Sequence, residues 1–571
     1  KLVSNLFVAA GTVAAEGQTS AANGGRSTPT RETAGATTSD GCPAMGRLPS
    51  ENFYMFRAVL DLFAPKSAGL VTNHAGGAVF ALDAWGRLDR FLILGADGPT
   101  YYATARKTAQ DALSALDACL ALDGKKTVSR IVSVSVTGRA PKNDSAILAL
   151  AYAASAGDPA TRAAALEALP QVARTATHLF HFVDAATRFR GFGRALRTAV
   201  ARWYTQKAEK DLVYQTTKYR QRDGWSHRDM LRLSHAHPVD DRQKAIFGWI
   251  VGKAPDASLL PETLAAFDAL QQATSAEEVI QLCAKYRFTH EMIPSQFLAN
   301  KAVWEALLPD LPLTALLRNL ARLGALGLTD AGHRRLIADR LRDERALKKA
   351  RIHPLSVLAA AGVYGQGRGD KGSLTWKPDT RLIKALDDAF FASFQTIEPT
   401  GKRHMLALDV SGSMTVGTIG GLSGVNPRMA SAVMAMATAR AEAETRFVGF
   451  SHTLVPLPLH ADLDLKTTVA RIDAVPMGAT DCALPMLHAA AQKIPVDVFV
   501  VYTDNETWFG NVSPYRALRD YREQTGIAAK LVVVGLTATE FTIADPNDAG
   551  TLDVVGFDAA APAVMADFAR Q

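Results

Sequence analysis

Three oxygen-bearing side chains stand at alternate positions in the run Asp409, Val410, Ser411, Gly412, Ser413, directly after the apolar stretch 405–408. Two later segments add to them: "GATD" supplies Thr480, and "VYTDNET" supplies Asp504 at the end of a second apolar run. Together they offer two carboxylates and three hydroxyls, all hard oxygen donors. Mg²⁺ takes six such oxygens in near-octahedral geometry and keeps some waters, so a divalent cation, Mg²⁺ first, is the expected occupant. An incoming acidic group could complete its shell. Other chemistries fit worse. A nucleophile elbow needs G-x-S-x-G, whereas Asp409 and Val410 precede Ser411. A phosphate loop needs a Lys after its glycines, and none follows. An aspartyl-phosphate enzyme wants a second Asp where Ser411 stands. No base or nucleophile is placed beside the set, so the chain is expected not to be an enzyme.

The second constellation is positive. Residues 188–232 hold 12 basic and 4 acidic residues, a net +8 against +7 for the whole chain. Arg194, Arg197 and Arg202 fall near one helical face, and Lys218 and Arg222 stand at i, i+4. Arg220 and Arg228 lie in the same run, followed by His235 and His237. Phe189, Phe192, Trp203, Tyr204, Tyr219 and Trp225 are interleaved with these cations. Long cations reach phosphates, and aromatics can stack on unpaired bases. At helical spacing the aromatics are read as core and the cations as a nucleic-acid contact. A second cluster at 333–354 is diluted by three acids and reads as a charged helix surface.

These residues need elements to hold them. Between about 75 and 395, apolar residues recur at spacings of three and four, as in "AQDALSALDACLAL" and "LPLTALLRNLARLGAL". Leu313, Leu316, Leu317 and Leu320 form one stripe after Pro312. Helices of 10–16 residues with short breaks suggest stacked pairs of the HEAT or armadillo sort, without a strict period. The run 128–138 is ambiguous between helix and strand. After residue 400 short apolar strands ("MLALD", "RFVGF", "VFVVY", "KLVVVG") alternate with helices over 427–444, 483–492 and 514–524, the pattern of a doubly wound α/β domain. Ligands of such folds bind at the carboxyl ends of strands, where Asp409 and Asp504 fall. The five oxygen donors in that order match the metal-dependent adhesion site of a von Willebrand factor A domain.

At 571 residues two or three domains are expected. Residues 401–571 carry a net −5 and residues 1–400 a net +12. Cys42, Cys119, Cys283 and Cys482 form no CxxC pair, so neither a zinc site nor a disulfide framework is suggested, which fits a cytoplasmic protein. No apolar run approaches membrane-spanning length. Residues 1–54, rich in Ala, Gly, Ser and Thr, read as disordered or as a non-native extension, with a faint likeness to a signal peptide at the start.

Longer motifs carry a family resemblance. "RFLILGADGPTYY" (90–102), "TKYRQRDGWSHRDMLRLSH" (217–235), "ALLPDLPLTALLRNL" (306–320), "EPTGKR" (398–403), "GATDCALPM" (478–486), "TDNETW" (503–508) and "FTIADPNDAG" (541–550) resemble the Ro ribonucleoprotein autoantigen and its bacterial relatives. The resemblance implies a TROVE module over 75–395, a ring of HEAT-like α-helical repeats, closed by a von Willebrand A domain over 400–571. It implies Y RNA on a basic outer surface and single-stranded 3′ ends of misfolded noncoding RNA and ribosomal RNA precursors in a central hole. The family's RNA-contacting residues match Lys218, Arg222 and His235 here. The resemblance further implies a monomeric protein within a ribonucleoprotein that acts with the exonuclease polynucleotide phosphorylase. The rival readings are a metal-dependent protein scaffold with incidental RNA affinity and an RNA-processing enzyme.

Overall fold

The structure is a computed structural model that describes residues 69–571, apart from 97–99, 255, 370–372, 395–396 and 422–423. The extension 1–54 and Cys42 lie outside the described residues. Eleven strands are numbered along the described chain. A hairpin comes first, β1 (Leu70–Thr72) and β2 (Ala78–Ala81), and a small one later, β3 (Gln221–Arg222) and β4 (Trp225–Ser226). The rest follow residue 400: β5 (Arg403–Asp409), β6 (Glu444–Phe450), β7 (Leu454–Val455), β8 (Val498–Thr503), β9 (Lys530–Gly535), β10 (Phe541–Thr542) and β11 (Thr551–Val555).

The large sheet runs β11-β9-β8-β5-β6-β7, parallel except for the edge strand β7. Its strands are apolar on both sides because helices cover both faces, as parallel sheets require. Leu406, Leu408, Val500 and Tyr502 pack with Met434 of the helix Pro427–Ala441, and Met405, Ala407, Phe499 and Val501 pack with Met486, Leu518 and Tyr521 on the other side. The first of these cores runs on without a break into the helical half. Sequential strands leave β5 in one direction to β6 and return on its other side to β8, so the strand order reverses between β5 and β8. A crevice opens at the carboxyl ends of such a pair. The three helices expected here form as Pro427–Ala441, Leu484–Ala491 and Pro514–Thr525.

The helical half behaves as its spacing predicts. Leu313, Leu316, Leu317 and Leu320 are all buried on Leu313–Ala325, with Pro312 just before the first turn, where its missing N–H is harmless. The ambiguous run 128–138 is helical: Val128, Ile131 and Val134 repeat every three residues and are buried in Ala105–Thr137. That 33-residue helix exceeds the expected length because two helices meet at Asp123 (φ −162°, ψ 98°), whose carboxylate accepts from Lys126 N–H at 2.9 Å. Trp203 and Tyr204 are fully buried, and Phe189, Phe192, Tyr219 and Trp225 pack against the core, as expected of the aromatics.

The helical run closes into a ring through the α/β domain. At its start β2 pairs with β10, and Gly77 sits so close that a Cβ there would lie 1.7 Å from Thr507 O. Arg90 is fully buried and donates to Thr539 O, Thr539 Oγ1, Phe541 O and the Asp553 carboxylate. Arg139 pairs with Asp558 at 2.8 Å. At its end Asp387 accepts from Leu465 N–H at 2.8 Å, and the Arg440 guanidinium lies 3.4 Å from the Phe391 ring. His353 joins the start of the helical run, its end and the α/β domain. Its Nδ1 accepts from Leu355 N–H, so the proton is on Nε2, which donates to Arg139 O (3.1 Å) and Phe557 O (3.0 Å). No described helix is long and apolar enough to cross a membrane.

Candidate metal and nucleic-acid sites

Asp409 ends β5 and Asp504 follows β8, which places both carboxylates at the crevice the strand order creates. Leu408 pairs with Tyr502, so Thr503 comes beside Asp409 and donates to its Oδ2 at 2.8 Å. Ser411 N–H donates to Asp409 Oδ1 at 2.9 Å, which folds the chain back so that Ser411 Oγ and Ser413 Oγ stand 3.0 Å apart. Ser413 hydrogen-bonds Asp504, whose Oδ1 also accepts from Glu506 N–H. Gly412 N–H reaches Gly478 O at 3.4 Å and so draws in the loop that carries Thr480. Thr480 is buried, and its carbonyl accepts from Trp508 and Phe509 N–H.

Asp409 and Asp504 are buried, and burial pushes both carboxyls above the usual range, with the Asp504 charge raising Asp409 further. Two desolvated carboxylates in one pocket repel each other, and a divalent cation removes that cost. Among the described residues no three His, Cys, Asp or Glu side chains gather as a metal site, so the donor set depends on hydroxyls. Oxygen donors alone fit Mg²⁺ or Ca²⁺ and disfavour Zn²⁺. Bound there, a cation would supply a Lewis-acidic position for an acidic ligand, held by Asp409, Ser411, Ser413, Thr480 and Asp504.

The parts of this site that come from far away in the chain leave no local signature in the sequence. Asn73 Nδ2 donates to Thr507 O (2.8 Å) and Asn505 O (3.2 Å), and His74 Nδ1 lies 2.7 Å from Glu506 Oε1. The β1–β2 hairpin therefore clamps the loop after Asp504. No local signal could have paired residues more than 400 positions apart. Thr503 was within reach, since it directly precedes Asp504 in the motif.

The basic segment contains one correction. The helix Glu209–Lys218 stops at Lys218, so Lys218 and Arg222 do not share a helical face. Asp223 (φ 54°) and Gly224 (φ 80°) instead make a two-residue turn between β3 and β4, and Arg222 lies on that hairpin. Asp-Gly between two short runs is the residue pair such turns require, and it was there to be read. His227 anchors the hairpin from below: Tyr204 OH donates to its Nδ1 (2.7 Å), and its Nε2 donates to Tyr219 O (3.0 Å). Ser226 and Asp229 form a capping box that starts the helix His227–Ser234.

Arg220, Arg222 and Arg228 are exposed around this hairpin, as are Arg194 and Arg197 on Arg194–Thr205, the helix that packs against His227–Ser234. His235 is exposed in a left-handed backbone conformation at the end of that second helix. Lys218 is different. Its side chain is only 7% exposed, donates to Tyr214 OH at 2.8 Å, lies 5.3 Å from the Tyr219 ring and sits 3.6 Å from Glu291. It backs the hairpin with charge more than it reaches outward.

Comparison with known proteins agrees with this architecture. The family model described as the TROVE domain matches residues 71–278 and 284–362, and the one described as the Ro60 vWA domain matches 403–569. The RNA-binding protein RO60 of Deinococcus radiodurans is 41% identical over 530 residues, covering 90% of this chain and 99% of that protein. The RNA-binding protein RO60 of Caenorhabditis elegans is 34% identical over 580 residues, covering 88% and 90%. The crystal structure of the Deinococcus radiodurans RO (RSR) protein superposes with a TM-score of 0.66, covering 86% of this chain and 99% of that one. A helical ring with a clamped A-type domain, matched over nearly its whole described length, places this chain in the Ro family.

Proposed function

We propose that this chain is an RNA-binding protein that holds Y RNA on the surface around the β3–β4 hairpin and takes single-stranded 3′ ends of misfolded RNA into the centre of the ring. One observation carries the reading: an exposed Arg-rich hairpin, seated on a buried Tyr204–His227 post and flanked by Arg194, Arg197 and Arg228. Cations on rigid elements contact phosphates with little sequence preference, which suits a protein that must accept many RNAs. Aromatic residues sit underneath as packing, so affinity would rest on charge more than on stacking. The relatives are named RNA-binding proteins, which supports the same reading. The protein would work in the cytoplasm, with Y RNA bridging it to a 3′ exonuclease such as polynucleotide phosphorylase, in RNA decay and ribosomal RNA maturation.

The metal site would hold Mg²⁺ and serve a separate role. Exposed Met477, Trp508 and Phe509 lie on the loops bearing Thr480 and Asp504 and favour protein docking at that face. Sequencing of RNA that copurifies with the tagged protein tests the main reading: discrete small structured RNA is expected, and a profile matching total RNA would refute it. A gel shift with that RNA in EDTA separates the two roles, since RNA binding should survive chelation.

A further inference from the structure

Away from both sites, four cations and, among the described residues, no carboxylate line one cavity of ≈ 320 Å³. It lies where the start and end of the helical run meet, between the turn after Ala105–Thr137, the loop at Arg174, and residues 349–351. Its polar lining is Ser135, Lys142, Asn143, Arg174, Lys349 and Arg351.

The floor is built, not incidental. Ser135 Oγ donates to Asn143 Oδ1 (2.6 Å), Asn143 Nδ2 donates to Val172 O (2.9 Å), and Arg174 Nη1 donates to Ser135 Oγ (2.9 Å) and Gln171 O (3.0 Å). These bonds fix Arg174 half-buried without an acidic partner among the described residues. Burial, then the neighbouring Arg351 charge, lowers the Arg174 pKa. Lys349 and Arg351 are exposed and make no ion pair with any described residue. Asp144, next to Asn143, does not line the cavity, and Asp343 caps the helix Glu344–Lys349 through Ala346 N–H. Arg351 also keeps φ at 50°, a conformation that glycine adopts at lower cost.

The like charges of Arg174, Lys349 and Arg351, gathered in a partly desolvated cavity, destabilise the fold until an anion joins them. The volume lies at the small end of ligand pockets. Arginine forks with lysine point charges and hydroxyl and amide donors are the groups that recognise phosphoryl oxygens. We infer that this cavity binds a phosphate group, either free or at the end of a nucleotide chain. None of its lining residues belongs to the β3–β4 hairpin. Because Gly138 touches Arg351 beside the Arg139–Asp558 and His353 links, the phosphate would also bridge the two ends of the ring.

The test uses the full chain stripped of nucleic acid, at constant ionic strength. Inorganic phosphate is titrated by calorimetry, and a short single-stranded RNA is compared with and without a 5′-phosphate by fluorescence anisotropy. Lys349→Glu and Arg351→Glu change exposed side chains and should keep the wild-type circular dichroism and melting temperature. Saturable phosphate binding that weakens at least about tenfold in each variant supports the site with free phosphate as ligand. A 5′-phosphate preference that both variants abolish, with little binding of free phosphate, supports it with an RNA end as ligand. Neither effect, or effects unchanged in the folded variants, overturns the inference; Arg174→Gln serves as the third variant under the same readout.

Discussion

Arg90 is the place to test whether the ring is closed by a specific buried linkage. Replacing it with Met keeps the length and apolar stem of the side chain but removes the guanidinium. Three acceptors then lose their donor (Thr539 O, Thr539 Oγ1 and Phe541 O), and Asp553 loses its 2.8 Å partner. Breaking a buried pair from one side costs about 3–5 kcal/mol, and because the Asp553 side chain keeps 17% exposure the low end, about 3 kcal/mol, is expected. Burial already raises the Asp553 carboxyl, and Arg90 opposes that rise. Without Arg90 the folded pKa climbs further above the unfolded one, so the penalty grows as pH rises from the unfolded carboxylate pKa through the folded one and shrinks in acid. Urea unfolding of the full chain at pH 7 and pH 5 measures this, with limited proteolysis between the two halves as a second readout. Asp553→Leu in the Arg90→Met background should recover part of the loss, because the unpaired charge is gone. A loss below about 1 kcal/mol, or a double variant whose cost equals the sum of the singles, would refute a buried linkage that closes the ring.

Other perturbations report on the remaining parts. Arg220→Ala with Arg222→Ala should weaken binding of copurified RNA and flatten the slope of log affinity against log salt by about one to two; an unchanged salt series removes the hairpin from the interface. His353 is buried neutral with its pKa lowered to about 4 by burial, while the unfolded side chain titrates near 6.5. Its contribution is therefore complete above pH 6.5 and lost as pH falls toward 4, about 3 kcal/mol in full, and His353→Gln should flatten the wild-type fall in stability over that window. Asp409→Asn should raise the melting temperature of metal-free protein by relieving the repulsion with Asp504, and should abolish any gain from added Mg²⁺. Equal Mg²⁺ stabilisation in both proteins would exclude Asp409 as a ligand.

What could be read from the chain was what local pattern encodes. Leucines at three- and four-residue spacing announced helices such as Leu313–Ala325, and apolar runs alternating with helices announced the sheet, because each element's period reflects the face it buries. Asp409, Ser411 and Ser413 were legible because the sheet topology fixes what the end of a parallel strand is for. The pairing of Lys218 with Arg222 was misread, since helical spacing was carried across an Asp-Gly turn that ends the helix.

Tertiary structure decided which distant residues share an environment. Arg90 meeting Asp553, Asn73 and His74 clamping the loop after Asp504, and His353 bonding to both Arg139 and Phe557 all join segments more than 200 residues apart. It also decided that Lys218 lies between two tyrosine rings while Arg222 stands free of them, and that Arg174 and Arg351 face one cavity. A sequence records each residue's own chemistry and its near neighbours. Charge pairing and burial depend on distance in space, and only the closing of the ring sets those distances.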